Sequence, residues 1–174
     1  EDKESTTVYF SADEELKTAE KNTPMNISTS LKSSIKKRDV TKKIGGQQLK
    51  LTNQDKIYFP ELEISKSMVI DYYQSMATFI LPHLKDRAQS LNRFPNGIDG
   101  MSFYQKDAAD ETPNWIPTQE VYSESTDKYI DYMICNDKAT MAYLNNLGCI
   151  EFNPWTSKIS NLDKPSYLVL DLDP

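Results

Sequence analysis

Apolar residues recur with regular spacing over most of the chain beyond residue 46, whereas the first 46 positions carry no sustained period. Met68, Tyr72, Met76 and Phe79, flanked by Val69, Tyr73 and Ile80, repeat at helical spacing. They predict a helix from about Lys66 to Leu81, capped by Ser65, with that stripe in the core and Pro82 ending or bending it. Leu49-Lys50-Leu51 reads as a short alternating strand. Ser90–Phe94 and Met101–Gln105 read as strands on either side of a Pro95-Asn96-Gly97 turn. Tyr129–Cys135 predicts a further strand, and Asp137 caps a helix over Ala139–Leu147 that Gly148 stops. Ile150–Phe152 and Tyr167–Leu172 complete the set. Strands mixed with helices in this order predict an α/β class, of the α+β kind with a mixed sheet.

Residues 1–46 are rich in Ser, Thr, Lys and Glu and read as a polar, basic tail or linker closed by Gly45-Gly46, with the folded part expected over 47–174. Nine Lys/Arg stand against eight Asp/Glu in that tail, and eleven against eighteen after it. Any anion site in the folded part must therefore be a small local cluster, and bound metal would neutralise part of the acidic excess. The run from Lys32 to Lys43 could meet DNA phosphates, although a solvated linker is the commoner role for such a stretch. Cys135 and Cys149 lack metal-ligand spacing and are expected to be reduced and interior. With no secretory signal or long apolar run, a cytoplasmic protein without a membrane partner is expected. The first residue is Glu1, which suggests a piece of a larger protein.

Three groups of residues can carry chemistry. In Ser166-Tyr-Leu-Val-Leu-Asp-Leu-Asp-Pro174, strand alternation puts Asp171 and Asp173 on one face and Leu170 and Leu172 on the other. Such a pair can ligate one or two divalent cations that act on a triphosphate, or it can be two solvated carboxylates where a strand exits. Asn53, Lys56 and Lys66 form a second group. Lys66 falls in the first helical turn, where a phosphate is favoured, though two ordinary surface lysines would read the same way. Arg93, Phe103, Tyr104 and Lys106 form the third. Adjacent aromatics on a strand face opposite ways, so one can be core and the other free to stack on a base, although core packing of both is the commoner outcome. The lone histidine, His83, reads as a capping or packing residue.

Taken in order, these pieces resemble a known family. Leu51-Thr-Asn-Gln-Asp-Lys-Ile-Tyr-Phe-Pro60 is followed by Ile64-Ser-Lys66, Asp71-Tyr-Tyr73 and Leu81-Pro-His-Leu84. Then come Arg93-Phe-Pro-Asn-Gly-Ile-Asp-Gly100, Phe103-Tyr-Gln-Lys106 and Thr112-Pro-Asn-Trp115. Ile130-Asp-Tyr132, Asn145-Asn-Leu-Gly148, Asn153-Pro-Trp155 and Leu170-Asp-Leu-Asp-Pro174 close the series. From Gln47 onward the chain resembles the front part of the primase-polymerase domain of bacterial DNA ligase D, of the archaeo-eukaryotic primase type.

The resemblance implies a repair polymerase that adds nucleotides at DNA ends during non-homologous end joining with the Ku end-binding protein, in a parent chain that can also carry a ligase domain. It implies a divalent metal, manganese favoured and magnesium possible, with nucleoside triphosphates as substrates. Asp171 and Asp173 correspond to the family's catalytic metal ligands, and Asn53, Lys56 and Lys66 to its 5′-phosphate site on the DNA end. Phe103, Tyr104, Arg93, Lys106 and Asn153 fall in its template and nucleotide region. Many relatives carry His where this chain has Asn153, and often Lys where it has Asn92. The family's Ser/His motif and third carboxylate are expected after Pro174, so the chain as given is expected to be inactive alone. Two other readings compete: a non-catalytic module that binds 5′-phosphorylated DNA ends, and a haloacid-dehalogenase-type phosphatase built on Asp171 and Asp173.

Overall fold

The computed structural model describes residues 38–108, 112–124, 126–170 and 172. The first elements are two strands, β1 (Val40–Ile44) and β2 (Gln47–Leu51), paired antiparallel with Ile44 opposite Gln47. Gly45 and Gly46 have φ of 54° and 89°, the pair of left-handed residues that a two-residue hairpin turn requires. Here the structure corrects the sequence boundary. The glycine pair turns a hairpin instead of closing a linker, and folded structure begins before Gln47. The single alternating apolar triplet in β2 gave no sign of its partner, because β1 is exposed except at Ile44. Ile44, Leu49 and Leu51 pack with Ile70, Ala139 and Ala142 in one apolar cluster.

A second small ribbon follows. Strand β3 (Ile57–Phe59) pairs with β4 (Ile64–Ser65) around a helical turn at Pro60–Leu62, and β4 runs directly into helix α1 (Lys66–Leu84). Ser65 caps α1 as expected, its Oγ accepting from the Met68 N–H. Pro82 lies inside the last turn without ending the helix, which closes on Lys85 N–H donating to Leu81 O. His83 is exposed in that turn.

The buried face of α1 is only partly the expected one, since it runs through the flanking residues of the predicted stripe. Val69, Ile70, Ala77 and Leu84 are buried, with Tyr73 and Ile80 packed beside them, whereas Met68, Tyr72 and Phe79 are 53%, 59% and 68% exposed. Both stripes are apolar at helical spacing, so periodicity alone cannot choose between them. The choice is made by what the helix packs against, namely helix α2 (Lys138–Asn146) and strand β9 (Cys149–Pro154). An apolar cavity of about 430 Å³ opens beside the outward face, between Phe59, Met68, Tyr72 and Ile150.

The central sheet has three antiparallel strands. Strand β5 (Gln89–Arg93) lies between β6 (Phe103–Gln105) and β9, with Arg93 opposite Phe103 and Ser90 opposite Asn153. Strands β7 (Thr118–Ser123) and β8 (Lys128–Met133) form a separate hairpin, as do β10 (Ser157–Lys158) and β11 (Asn161–Pro165). The mixed α/β class is as expected, although the strands form several small sheets, each antiparallel. Leu91, Met133, Met141, Leu144, Cys135 and Cys149 centre the main core, and both cysteines are free thiols. Burial pushes the Cys135 thiol up to about 12, well away from reactive chemistry. Asp137 caps α2, accepting from the Thr140 N–H at 2.8 Å.

Residues 167–170 do not form the expected strand, and Leu168, Val169 and Leu170 are 81%, 65% and 76% exposed. A strand needs a neighbour for its ladder, and none of the described elements pairs with this run. Among the described residues, no helix is long and apolar enough to cross a membrane.

The rotation of α1 is testable in chemical denaturation. Leu84→Ala is expected to lower the unfolding free energy by about 2–5 kcal/mol through the cavity it leaves. Phe79→Ala should stay within about 0.5 kcal/mol. The reverse order would place the Phe79 stripe in the core.

Candidate nucleic-acid interface

The interface is built from the loop between β2 and β3, folded over the start of α1. Lys56 N–H donates to Asn53 O at 3.0 Å and closes a turn, at whose head Asn53 has a left-handed φ of 53°. Lys66 N–H then donates to Lys56 O at 2.8 Å, and Ser67 N–H to Gln54 O at 3.1 Å. With Met68 N–H on Ser65 Oγ, the first three amides of α1 are all taken within the chain. The expectation that the helix N-terminus itself cradles a phosphate is therefore corrected. No amide of that turn is left to donate, and an anion there would have to be met by side chains and the residual helix dipole.

Lys66 is the unusual side chain. It is 4% exposed, and its Nζ donates to Thr52 O at 2.7 Å. A lysine ammonium carries three donors, and among the described residues no carboxylate lies within ion-pair distance of this one. Its pKa is pushed down to about 8, mainly by burial and further by the neighbouring Lys56 charge. The folded value lies below the ordinary 10.5, so the charged form destabilises the fold below about pH 8. That cost is relieved as pH rises toward the unfolded value. An anion at the same place would relieve it at neutral pH.

Lys56 reaches the other way, its Nζ donating to Pro95 O at 2.5 Å and Asn96 Oδ1 at 2.7 Å. The turn it grips is packed tightly on β3. A Cβ added at Gly97, whose φ is 87°, would lie 3.0 Å from the carbonyl oxygens of Ile57 and Tyr58. Ile98 N–H donates to Tyr58 O at 2.8 Å across the same contact. Arg93 leads into that turn. Its Nε donates to Leu147 O at 2.9 Å and its Nη1 to Gln105 Oε1 at 2.7 Å, with the guanidinium 5.1 Å from the centre of the Phe103 ring. Burial lowers the Arg93 pKa, and the Arg93 charge in turn weighs on Lys66. The structure therefore brings Lys56, Lys66, Arg93 and Phe103 into one electropositive neighbourhood, although the whole chain carries a net charge of −6.

Phe103 and Tyr104 are 46% and 62% exposed, so neither is a core residue, unlike either reading of the pair from sequence. They sit on β6, at the edge of the three-stranded sheet, where both faces are open. Lys106 is exposed just beyond them. Asn153 is exposed on β9 opposite Ser90, three residues along β5 from Arg93, or about 10 Å. It does not join the cluster. Asn92 is buried, its Nδ2 donating to Glu151 Oε2 at 2.9 Å.

Asp171 and Asp173 lie outside the described residues. Among the described ones no group of three or more His, Cys, Asp or Glu side chains could hold a metal. Several contributors were missed by sequence reasoning. The Thr52 and Pro95 carbonyls leave no side-chain signature, and Gln105 was read only as the end of a strand. Asp39 accepts from Asn53 N–H at 3.0 Å but falls in the stretch read as a tail.

Known proteins resemble this chain in sequence and fold. The family model for the LigD primase-polymerase domain matches residues 65–174. The chain is 32% identical over 127 residues to the bifunctional non-homologous end joining protein LigD of Bacillus subtilis, covering 73% of this chain and 20% of that protein. It is 28% identical over 130 residues to the multifunctional LigD of Mycolicibacterium smegmatis, covering 74% of this chain and 17% of that protein. The chain thus spans a fifth or less of these relatives. Among solved structures, the polymerase domain of Mycobacterium tuberculosis ligase D in complex with DNA superimposes with a TM-score of 0.61 at 28% identity, covering 64% of this chain and 38% of that one. With the family model spanning well over half its length, the chain belongs to the LigD primase-polymerase domain family.

Proposed function

We propose that this chain is the DNA-end-binding part of a repair polymerase, and that Lys56 and Lys66, with Asn53, receive the 5′-phosphate of a DNA end. The observation that carries this is the buried Lys66 ammonium, held beside Lys56 and Arg93 and served by one carbonyl. A desolvated cation with spare donors is destabilising until an anion meets it, which is how a binding site differs from a structural ion pair. The exposed rings of Phe103 and Tyr104, with Arg93 against the first, supply stacking surface for unpaired template bases. The solved relative in complex with DNA supports nucleic acid as the ligand.

The whole domain would add nucleotides at such ends during non-homologous end joining, alongside Ku and, in the parent chain, a ligase domain. Asp171 and Asp173 fall within the residues matched by the family model, and their hard oxygens suit manganese or magnesium. A divalent ion held there would offset triphosphate charge and lower the pKa of an attacking hydroxyl. This chain's own contribution is to fix the DNA end and present the template, bringing the reacting groups into register.

Lys66→Ala is expected to weaken binding of recessed DNA bearing a 5′-phosphate by about 1–3 kcal/mol, with little effect on the same DNA lacking it. Fluorescence anisotropy on both substrates checks this, and equal losses would reduce Lys66 to general electrostatics. The wild-type preference for phosphorylated ends should also fall as pH rises through about 8, because binding needs the ammonium and Lys66 loses its proton there. A preference that stays flat from pH 7 to 9 would show that Lys66 does not meet the phosphate. In a protein carrying the whole domain, Asp171→Ala or Asp173→Ala should abolish single-nucleotide extension while leaving 5′-phosphate binding intact. Extension at a near wild-type rate would remove the metal assignment.

A further inference from the structure

We propose that Asp39 is a positioning residue of this phosphate pocket: its carboxylate holds the Asn53 turn in the conformation that aims Asn53, Lys56 and Lys66 together. The inference rests on the pocket reading above. Asn53 stands at a φ of 53°, a left-handed conformation that asparagine tolerates better than most residues and that neighbouring hydrogen bonds can fix. Two hydrogen bonds fix this residue's backbone. Its carbonyl accepts from Lys56 N–H, and its own N–H donates to Asp39 Oδ1 at 3.0 Å.

The same short segment is tied to the turn twice more. Gln54 N–H donates to Arg38 O at 2.8 Å, and the Arg38 guanidinium lies 3.0 Å from Asp55 Oδ1. Three separate contacts thus join residues 38–39 to residues 53–55. Since β1 begins at Val40, the entry to the first hairpin is fastened to the Asn53 turn. The Asn53 N–H holds the Asp39 carboxyl below its ordinary range, against the opposing effect of desolvation, and Lys50 and Lys66 act with the amide. Lys50 Nζ stands 3.5 Å from the other carboxylate oxygen.

This arrangement separates two effects of one side chain. As an acceptor, Asp39 occupies the amide at the head of the turn, so a phosphate is met by side chains alone. As a charge, it faces Lys66, which the phosphate needs, as well as Lys50, and it opposes the incoming anion. The acceptor is the useful part. Asparagine at this position would keep an oxygen for the Asn53 amide and drop the charge, whereas alanine would drop both.

The test measures affinity of the full chain for recessed DNA with and without a 5′-phosphate, for wild type, Asp39→Asn and Asp39→Ala. Asp39→Ala should lower the phosphate preference about five- to tenfold, the net worth of one ordinary hydrogen bond. Asp39→Asn should match or exceed wild type. An alanine variant with unchanged preference, or an asparagine variant as weak as alanine, overturns the proposal. Hydrogen exchange of the wild-type chain gives a measurement independent of any variant's folding. The Asn53 amide should be protected, and exchange at the rate of an open loop also overturns the proposal. A wild-type chain without any phosphate preference would instead defeat the pocket reading, and this inference with it.

Discussion

The hydrogen bond from Lys66 Nζ to Thr52 O is the contact on which the rest of the interface depends. It draws the first residue of α1 under the loop that follows β2, and the backbone bonds from Lys66 to Lys56 and from Ser67 to Gln54 close the same junction. Together these three bonds seat the loop on the helix and fix the base from which Lys56 reaches the Pro95–Gly97 turn. By burying an ammonium, the junction accepts a cost on the order of 3 kcal/mol relative to water, read from the depression of Lys66 to about 8. Interior packing could be achieved more cheaply with an apolar side chain. A lysine makes sense here if something negatively charged arrives to complete its coordination.

How much of this was legible in the sequence varied with the kind of signal. The cap residues Ser65 and Asp137 were readable because a side-chain oxygen before an apolar run has a single local use, and both accept the amides expected of them. The grouping of Lys56 and Lys66 was read from the sequence and given its DNA-end role by resemblance, and the structure brings them together through bonds that any backbone could make. Sequence could not reveal that the loop would consume the helix amides, because the Gln54 and Lys56 carbonyls that do so carry no residue identity. The hairpin start was hidden for a related reason. Strand β1 has only one buried side chain, so its polarity read as a tail. Asp39, at its entrance, was dismissed with it.

The α1 stripe shows a different limit. Two apolar faces, one through Val69, Ala77 and Leu84 and one through Met68, Tyr72 and Phe79, satisfy the same period. A helical period reports that faces exist, and the neighbours decide which is inner. In this chain α2 and β9 cover the first face. The exposed run of residues 168–170 is a case of the same kind, because strand propensity there has no described partner to express it. Apolar character in these segments was read correctly, and burial was not, since burial belongs to the contact and not to the residue.

The charge of the chain and its proposed ligand are reconciled by the same locality. A net charge of −6 opposes a polyanion at long range, yet screening limits that opposition to about 8 Å at physiological salt. Within that distance of Lys66 the field is set by Lys56 and Arg93, both of which lower its pKa, with Asp39 as the opposing charge. Low local dielectric then makes the near cations count for more than the distant carboxylates. Such a site would gain little from general attraction to DNA and most of its affinity from the one phosphate that fits. That profile supports the proposed recognition of a DNA end through its phosphate.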